Sequence, residues 1–294
     1  MEAKTIHVDD GVGNTYDLVE VDGVTFPDYF TDDPIQRLKD VREMAGRDDD
    51  VIIAAYPKAG THWVWEITNM LLRGSAEYHT SMKEELMLEL TGSDVIGELT
   101  PPRVFNSHLR FRQLPKEMIS KNCKLIYVTR NPKDMAVSRY CHNTKSVLAY
   151  TGTFSDYLRL YLQGKVAFGS WFDYTLDWHR AIRDNQGYPI YTIVYELLKR
   201  DPFNQVKRLA SFLGTKTDDT FIESICNQCS FSNLKTSYEK DKKIFGPGDH
   251  PSNYSFRKGE VGDWKNWFTV AESEQFDLVV QQHLGECVLE FVYE

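Results

Sequence analysis

Long apolar runs are missing from this 294-residue chain, and that absence sets the first boundary. No stretch approaches the roughly 20 residues a membrane-spanning helix needs. The first residues are acidic, where a secretion signal would be basic and then apolar. A cytoplasmic location with no membrane partner is therefore expected. Cysteine is also scarce. Cys123, Cys141, Cys226, Cys229 and Cys287 form an odd set that suits free thiols in a reducing compartment. Cys226 and Cys229 make a C-x-x-C, but no second pair or His pair completes a metal site, so no metal is expected there. A basic excess is lacking too. The net charge is −9, and residues 1–50 hold fourteen acids against five bases, so the rest of the chain is balanced. Such a balance argues against nucleic acid as a partner. Any polyanionic small ligand would need a local basic pocket. Neither internal repeats nor low-complexity tracts interrupt the chain, and its 41% hydrophobic content suits one large globular domain or two small ones.

What is present begins at Val51. The run Val51 to Tyr56 is short, apolar and rich in β-branched residues, the pattern of a buried strand. Pro57 ends it, because proline cannot donate to a ladder. Lys58 and Gly60 fall in a tight turn, and Trp63, Ile67, Met70 and Leu71 then recur at helical spacing. Strand, turn and helix together aim free backbone N–H groups and a lysine at one spot, which suits phosphate or sulfate. The turn does not follow G-x-x-x-x-G-K-[ST], since its lysine precedes its single glycine. An NTPase of the usual kind is thereby disfavoured.

Lys124 to Thr129 gives a second buried strand, followed by a helix from Pro132 or Lys133 to about Asn143. Tyr188 to Tyr195 gives a third strand. Trp171 to Arg183 is amphipathic, and Asp201-Pro202 opens a further helix with an acidic cap and a first-turn proline. Strands separated by helices imply an α/β fold with a central parallel sheet flanked by helices. Ligands in such sheets sit at the C-terminal strand ends, where Lys58, Arg130 and Tyr195 fall. Residues 1–45 form an acidic N-terminal segment. Residues 235–263, rich in glycine and proline, read as a long lid or binding loop.

Four segments, Tyr56-Pro-Lys-Ala-Gly-Thr-His-Trp63, Arg130-Asn-Pro-Lys-Asp134 through Ser138, Gly169-Ser-Trp171 and Arg257-Lys-Gly-Glu-Val-Gly-Asp-Trp-Lys265, resemble those of the cytosolic sulfotransferases. The resemblance runs in order from about residue 25 to the C-terminus. It implies a single α/β domain over residues 1–294 and the donor 3′-phosphoadenosine 5′-phosphosulfate. It further implies transfer of a sulfuryl group to a hydroxyl of a small acceptor, without metal. The turn Lys58, Ala59, Gly60, Thr61, His62, Trp63 resembles the loop that holds the phosphosulfate. Arg130, Ser138, Arg257, Lys258 and Gly259 match the family's grip on the 3′-phosphate. Trp63, Tyr195 and Phe231, with Cys229 and Ser230, match the groups around adenine. His108 matches the catalytic base, Lys58 the stabiliser of the leaving oxygen, and Ser138 the residue that restrains that lysine.

Three positions depart from the family's pattern. Asn106 stands where lysine is usual, Ala59 where serine is usual, and His62 where threonine or asparagine is more common. Asn106 and Ala59 leave open a second reading, a donor-binding protein with little or no turnover. A kinase-like nucleotide enzyme sharing only the sheet is a third. Phe26, Tyr29, Phe30, Phe105, Tyr150 and Phe154 are expected near an apolar acceptor pocket beside Asn106 and His108. Lys265 to Glu274 resembles a short homodimer segment, although Thr269 could equally be an ordinary helix cap.

Overall fold

The two most apolar strand candidates form the middle of a four-stranded parallel sheet. The structure, a computed structural model, describes residues 2–28, 31–146, 148–240, 256–285 and 291–293. In chain order its strands are β1 (Ala3–Asp9), β2 (Thr15–Val21), β3 (Val24–Pro27), β4 (Val51–Ala55), β5 (Val104–Ser107), β6 (Lys124–Thr129) and β7 (Ile190–Val194). The helices are α1 (Pro34–Glu43), α2 (Thr61–Arg73), α3 (Ser93–Glu98), α4 (Lys116–Ser120), α5 (Pro132–Asn143), α6 (Phe154–Leu162), α7 (Trp171–Asp184), α8 (Tyr195–Arg200), α9 (Pro202–Leu213), α10 (Asp219–Gln228), α11 (Phe231–Lys240) and α12 (Val270–Leu284). The parallel sheet has the order β5-β4-β6-β7. Every residue of β4 is buried, as a strand covered on both faces requires, and the edge strand β7 is only partly so.

Helices flank this sheet for local reasons. Gly60 opens α2 at φ 106° and Gly74 closes it at φ 65°, both left-handed conformations that favour glycine. Asn131 accepts from the N–H groups of Lys133 and Asp134, and Pro132 supplies a preset φ, so α5 starts immediately after β6. Asp201 caps α9 through the N–H of Asn204, also behind a first-turn proline. On α7, Trp178 stacks on Tyr127 of β6, with centroids 5.1 Å apart and planes 11° apart. Asp50 and Arg103, just ahead of β4 and β5, form a buried two-pronged pair at 2.7 and 2.5 Å that fixes the two strands at one end.

Four features differ from the sequence expectations. Residues 1–45, read in the sequence only as acidic, carry secondary structure: β1, β2 and β3 form an antiparallel sheet, and α1 follows it. Val8, Leu18, Val21, Val24 and Phe26 of that sheet join the main core. Val104–Ser107, not read as a strand, is β5 and pairs with β4, so His108 follows a strand of its own. The third strand is shorter than expected, and Tyr195 begins α8. The expected loop 235–263 is helical through Lys240, while residues 241–255 lie outside the described residues.

Candidate functional site

The turn after β4 is built by conformation first. Lys58 has φ 76°, unusual for a residue with a Cβ, and Gly60 has φ 106°. A Cβ on Gly60 would sit 2.7 Å from the Tyr195 ring, so glycine is needed for space as well as for φ. The turn closes through Ala59 N–H to the Tyr56 carbonyl at 3.2 Å. Helix α2 then begins with its leading N–H groups directed at this turn. Arg130, one residue beyond β6, donates through Nη1 to the Lys58 carbonyl at 3.0 Å and lies over the Tyr195 ring at 4.3 Å. Trp63 meets the same ring edge-on at 5.6 Å.

The distant segment 257–259 is carried to this turn by α5. Asp134, in the first turn of α5, accepts the N–H groups of Gly262 at 2.7 Å and Trp264 at 2.8 Å. Lys133 lies 4.5 Å over the Trp264 ring. Asp263 then binds Lys258 at 2.6 Å and also Arg257, and these bonds hold its carboxyl below the usual range against the opposing effect of burial. Gly259 has φ 66° and packs its Cα face on Phe231, leaving no room for a Cβ. Phe256 contacts Phe231 at 6.2 Å and His62 at 5.9 Å. Residues 58–63, 195, 231 and 256–259, far apart in sequence, therefore share one contiguous surface. Ser230 precedes α11, and buried Cys229 touches Met70 sulfur at 3.6 Å.

The second part of the site lies at the end of β5. His108 donates through Nδ1 to the Ala55 carbonyl at 2.7 Å, which leaves Nε2 as the acceptor nitrogen. Its own N–H is held by the Glu89 carboxylate. Burial, then the charge of Lys83, push the imidazole down to about 3, against the opposing bond to Ala55, so it is neutral at physiological pH. Burial likewise lowers Lys58 to about 7, helped by Lys83, Arg139 and Arg130. Glu89 is pushed up to about 7, chiefly by burial. His62 faces Glu84 at 3.2 Å and is lowered to about 4, by burial first and Lys83 second. Asn106 is fully buried, and its amide donates to the Lys83 carbonyl. Ser138 is buried on α5, next to buried Arg139.

The aromatic expectations divide. Phe26 meets Phe168 edge-on at 5.9 Å, and Phe168 meets His108 at 5.0 Å, so Phe26 belongs to the shell around the imidazole. Phe105 does not belong there. It points opposite to Asn106 on β5, is completely buried, and lies beneath Arg103 at 5.2 Å. Tyr150 and Phe154 join a separate aromatic cluster. They pack with Tyr140, and the Tyr150 hydroxyl donates to Asp10 at 2.8 Å. Tyr29 and Phe30 lie outside the described residues. Sequence reasoning missed Lys83, Glu84, Glu89, Arg139 and Phe168. Lys83, Glu84 and Glu89 fall in a segment without periodicity, while Arg139 and Phe168 lie beside recognised segments but carry no pattern that marks their burial near His108.

Two polar atoms bear on an anionic guest. Thr61 Oγ1 and Arg130 Nε are buried and lack a hydrogen-bond partner among the described residues. Both are donors at the α2 turn and the β6 end, and phosphate oxygens would satisfy them. No cluster of three or more His, Cys, Asp or Glu suited to a metal occurs among the described residues, the C-x-x-C included. No helix among them is long and apolar enough to cross a membrane.

Comparisons with known proteins agree with this geometry. A sequence model described as the sulfotransferase domain matches residues 48–288. Sulfotransferase 1B1 of Mus musculus is 36% identical over 265 residues, which cover 85% of this chain and 88% of that protein. Sulfotransferase 1C2 of Homo sapiens is 31% identical, covering 96% and 98%. Among solved structures, mouse sulfotransferase SULT7A1 complexed with PAP superimposes with a TM-score of 0.74 at 28% identity, covering 92% of this chain and 95% of that one. Parallel sheet, phosphate-type turn and sequence relatives converge, and the chain belongs to the sulfotransferase family, as an enzyme of the α/β class.

Proposed function

We propose that the protein transfers a sulfuryl group from 3′-phosphoadenosine 5′-phosphosulfate to the hydroxyl of a small, largely apolar acceptor such as a phenol, a steroid or another alcohol. The observation that carries this reading is the bond from His108 Nδ1 to the Ala55 carbonyl, three residues before Lys58. It fixes the tautomer, so that Nε2 of an imidazole kept neutral by burial is the proton acceptor beside the turn that suits the phosphosulfate. Lys58 to Trp63 and Thr61 Oγ1 would hold the 5′ end. Arg130, Ser138 and Arg257-Lys258-Gly259 would hold the 3′-phosphate, and Trp63, Tyr195, Cys229, Ser230 and Phe231 the adenine. Charge at both ends of one molecule calls for two basic clusters, and a flat purine between them calls for aromatic faces.

Bound donor supplies the sulfuryl group, and this chain's residues supply positioning and charge. His108 Nε2 takes the acceptor's proton. Lys58, protonated at neutral pH once an anion lies beside it, stabilises charge on the bridging oxygen. Donor charge also raises the depressed imidazole, so a loaded site holds the proton better than an empty one. Phe26 and Phe168 give the acceptor an apolar wall next to His108. The segment Lys265–Glu274 would form a homodimer contact. Thr269 does cap α12 there, and Val270 beside it is 77% exposed. The enzyme acts in the cytoplasm on this reading.

Labelled donor incubated with phenols, steroids and aliphatic alcohols tests the proposal. Label should pass to at least one acceptor, and His108→Ala should abolish the transfer. Tight donor binding with no transfer to any of them would favour the binding-protein alternative that Asn106 and Ala59 raise. Turnover of ATP instead would overturn both.

A further inference from the structure

A 3₁₀ turn at Lys83–Leu86 lies against β5, and the charged groups around His108 are organised by its first two residues. Lys83 Nζ lies 2.9 Å from Glu84 Oε1, and the lysine side chain is only 6% exposed. The same carboxylate oxygen lies 3.2 Å from His62 Nε2 in the donor turn. Asn106 Nδ2 donates to the Lys83 carbonyl, and Leu88 N–H donates to the Asn106 carbonyl at 3.0 Å. Met87 also bridges Asn106 in parallel. The turn is thus fastened to the strand that delivers His108, and its lysine is tied to the loop that carries Lys58.

A buried ammonium is costly unless paired and used. Glu84 supplies the pairing: the charge of Lys83 and the hydrogen bonds from Lys83 and His62 hold its carboxyl well below the usual range although burial opposes them. After burial itself, Lys83 is the largest charge acting on Lys58, His62 and His108. Asn106, the polar residue of β5 nearest to His108 in the same strand face, is neutral, and its amide is committed to the Lys83 carbonyl. Its Oδ1 is buried without a partner among the described residues.

We propose that Lys83 is the cation that attends the transferring sulfuryl group on the acceptor side, held in position by Glu84 and by the Asn106 amide. This rests on the sulfuryl-transfer reading above. In the step, a lone pair of the acceptor oxygen forms the new bond to sulfur, and the acceptor proton passes to His108 Nε2. The bond from sulfur to the bridging oxygen breaks, and its electron pair leaves on the 5′-phosphate beside Lys58. The remaining three sulfuryl oxygens keep their negative charge throughout. Lys83 offsets that charge as the acceptor approaches, while Lys58 attends the leaving oxygen.

The test uses Lys83→Met, the double variant Lys83→Met with Glu84→Gln, which strands no buried carboxylate, and Lys83→Arg. Turnover in the first two should fall about 100-fold, as on removal of one preorganised charge donor. Affinity for 3′-phosphoadenosine 5′-phosphate, which lacks the sulfuryl group, should stay within about threefold, the split expected of an interaction made in the transition state. Lys83→Arg should retain more activity, and Asn106→Lys should restore turnover in the Lys83→Met background. A folded double variant with wild-type turnover, or one that loses nucleotide affinity as much as turnover, would overturn the proposal. NMR titration of the Lys58 side chain provides a check without catalysis. Loss of the neighbouring charge in Lys83→Met should move Lys58 upward from about 7, and an unchanged titration would refute the juxtaposition. If wild-type protein transfers no sulfuryl group to any acceptor, the functional reading fails, and the Lys58 titration still decides whether Lys83 acts on this site.

Discussion

On the proposed function, the donor half of the site and the transfer half are built on different principles. The donor half depends on backbone: a left-handed Lys58, Gly60 pressed on Tyr195, Gly259 pressed on Phe231, and the start of α2. Its groups reach a ligand because the chain path leaves N–H groups and small residues at the surface of the turn. The transfer half depends on side chains: buried His108, Glu89, Lys83 and Arg139 with partly buried Glu84, drawn from the end of β5, from the segment before it and from α5. There burial first, and then the charge of Lys83, moves His108 far from its ordinary value, and the same two causes act on Lys58 where the halves meet. On the proposed function, binding is secured by shape, and chemistry by desolvated charge.

The sharpest way to break this division is His108→Ala. It should cost about 1,000-fold in turnover, within the usual range for a general base, while affinity for 3′-phosphoadenosine 5′-phosphate stays near wild type by calorimetry. A matching loss of nucleotide affinity would mean the two halves are one. Arg257→Ala should do the opposite. Donor affinity should weaken about 30-fold, the worth of one charged hydrogen bond, with the acceptor KM unchanged. Equal losses for donor and acceptor would show that the 3′-phosphate assignment is wrong.

Two smaller effects sharpen the comparison. Gly60→Ala introduces both a strained φ and a clash with the Tyr195 ring. It should weaken the donor about tenfold, equivalent to 1–2 kcal/mol of backbone strain, and leave kcat at saturating donor little altered. For pH, Lys58 is charged below about 7 and neutral above it in the ligand-free protein. The donor's kcat/KM should therefore fall about tenfold per pH unit above that point. His108 is neutral down to about pH 3, so it adds no acid limb near pH 6. In the donor complex the anion returns Lys58 towards its ordinary value, and kcat should lack the alkaline limb. An acid limb in kcat/KM near pH 6 would show an imidazole open to solvent.

How much could be read beforehand followed the same division. Val51–Ala55 and Lys124–Thr129 were legible as strands because buried parallel strands are continuous apolar runs. The starts of α5 and α9 were legible because caps and first-turn prolines are local. Val104–Ser107 was not, since half of this four-residue strand is polar and its burial comes only from neighbours. Phe105 was misjudged because a one-residue step along a strand reverses the face, and only the pairing with β4 fixes which face meets the core. Which of the aromatics pack together was not legible, because aromatic composition does not say which cluster a ring joins: Tyr150 and Phe154 join Tyr140.

By itself the sequence determined the α/β class, the phosphate-type turn and the family, because each is carried by residues adjacent along the chain, whose geometry is set by local sterics and capping. Tertiary structure alone decided that Lys83 and Glu84 stand beside His62, that Asp134 brings Arg257 to Gly259 towards the turn, and that His108 is neutral. Burial and electrostatic coupling depend on distance in space, and residues remote in sequence acquire that distance only when the sheet and its helices close around them.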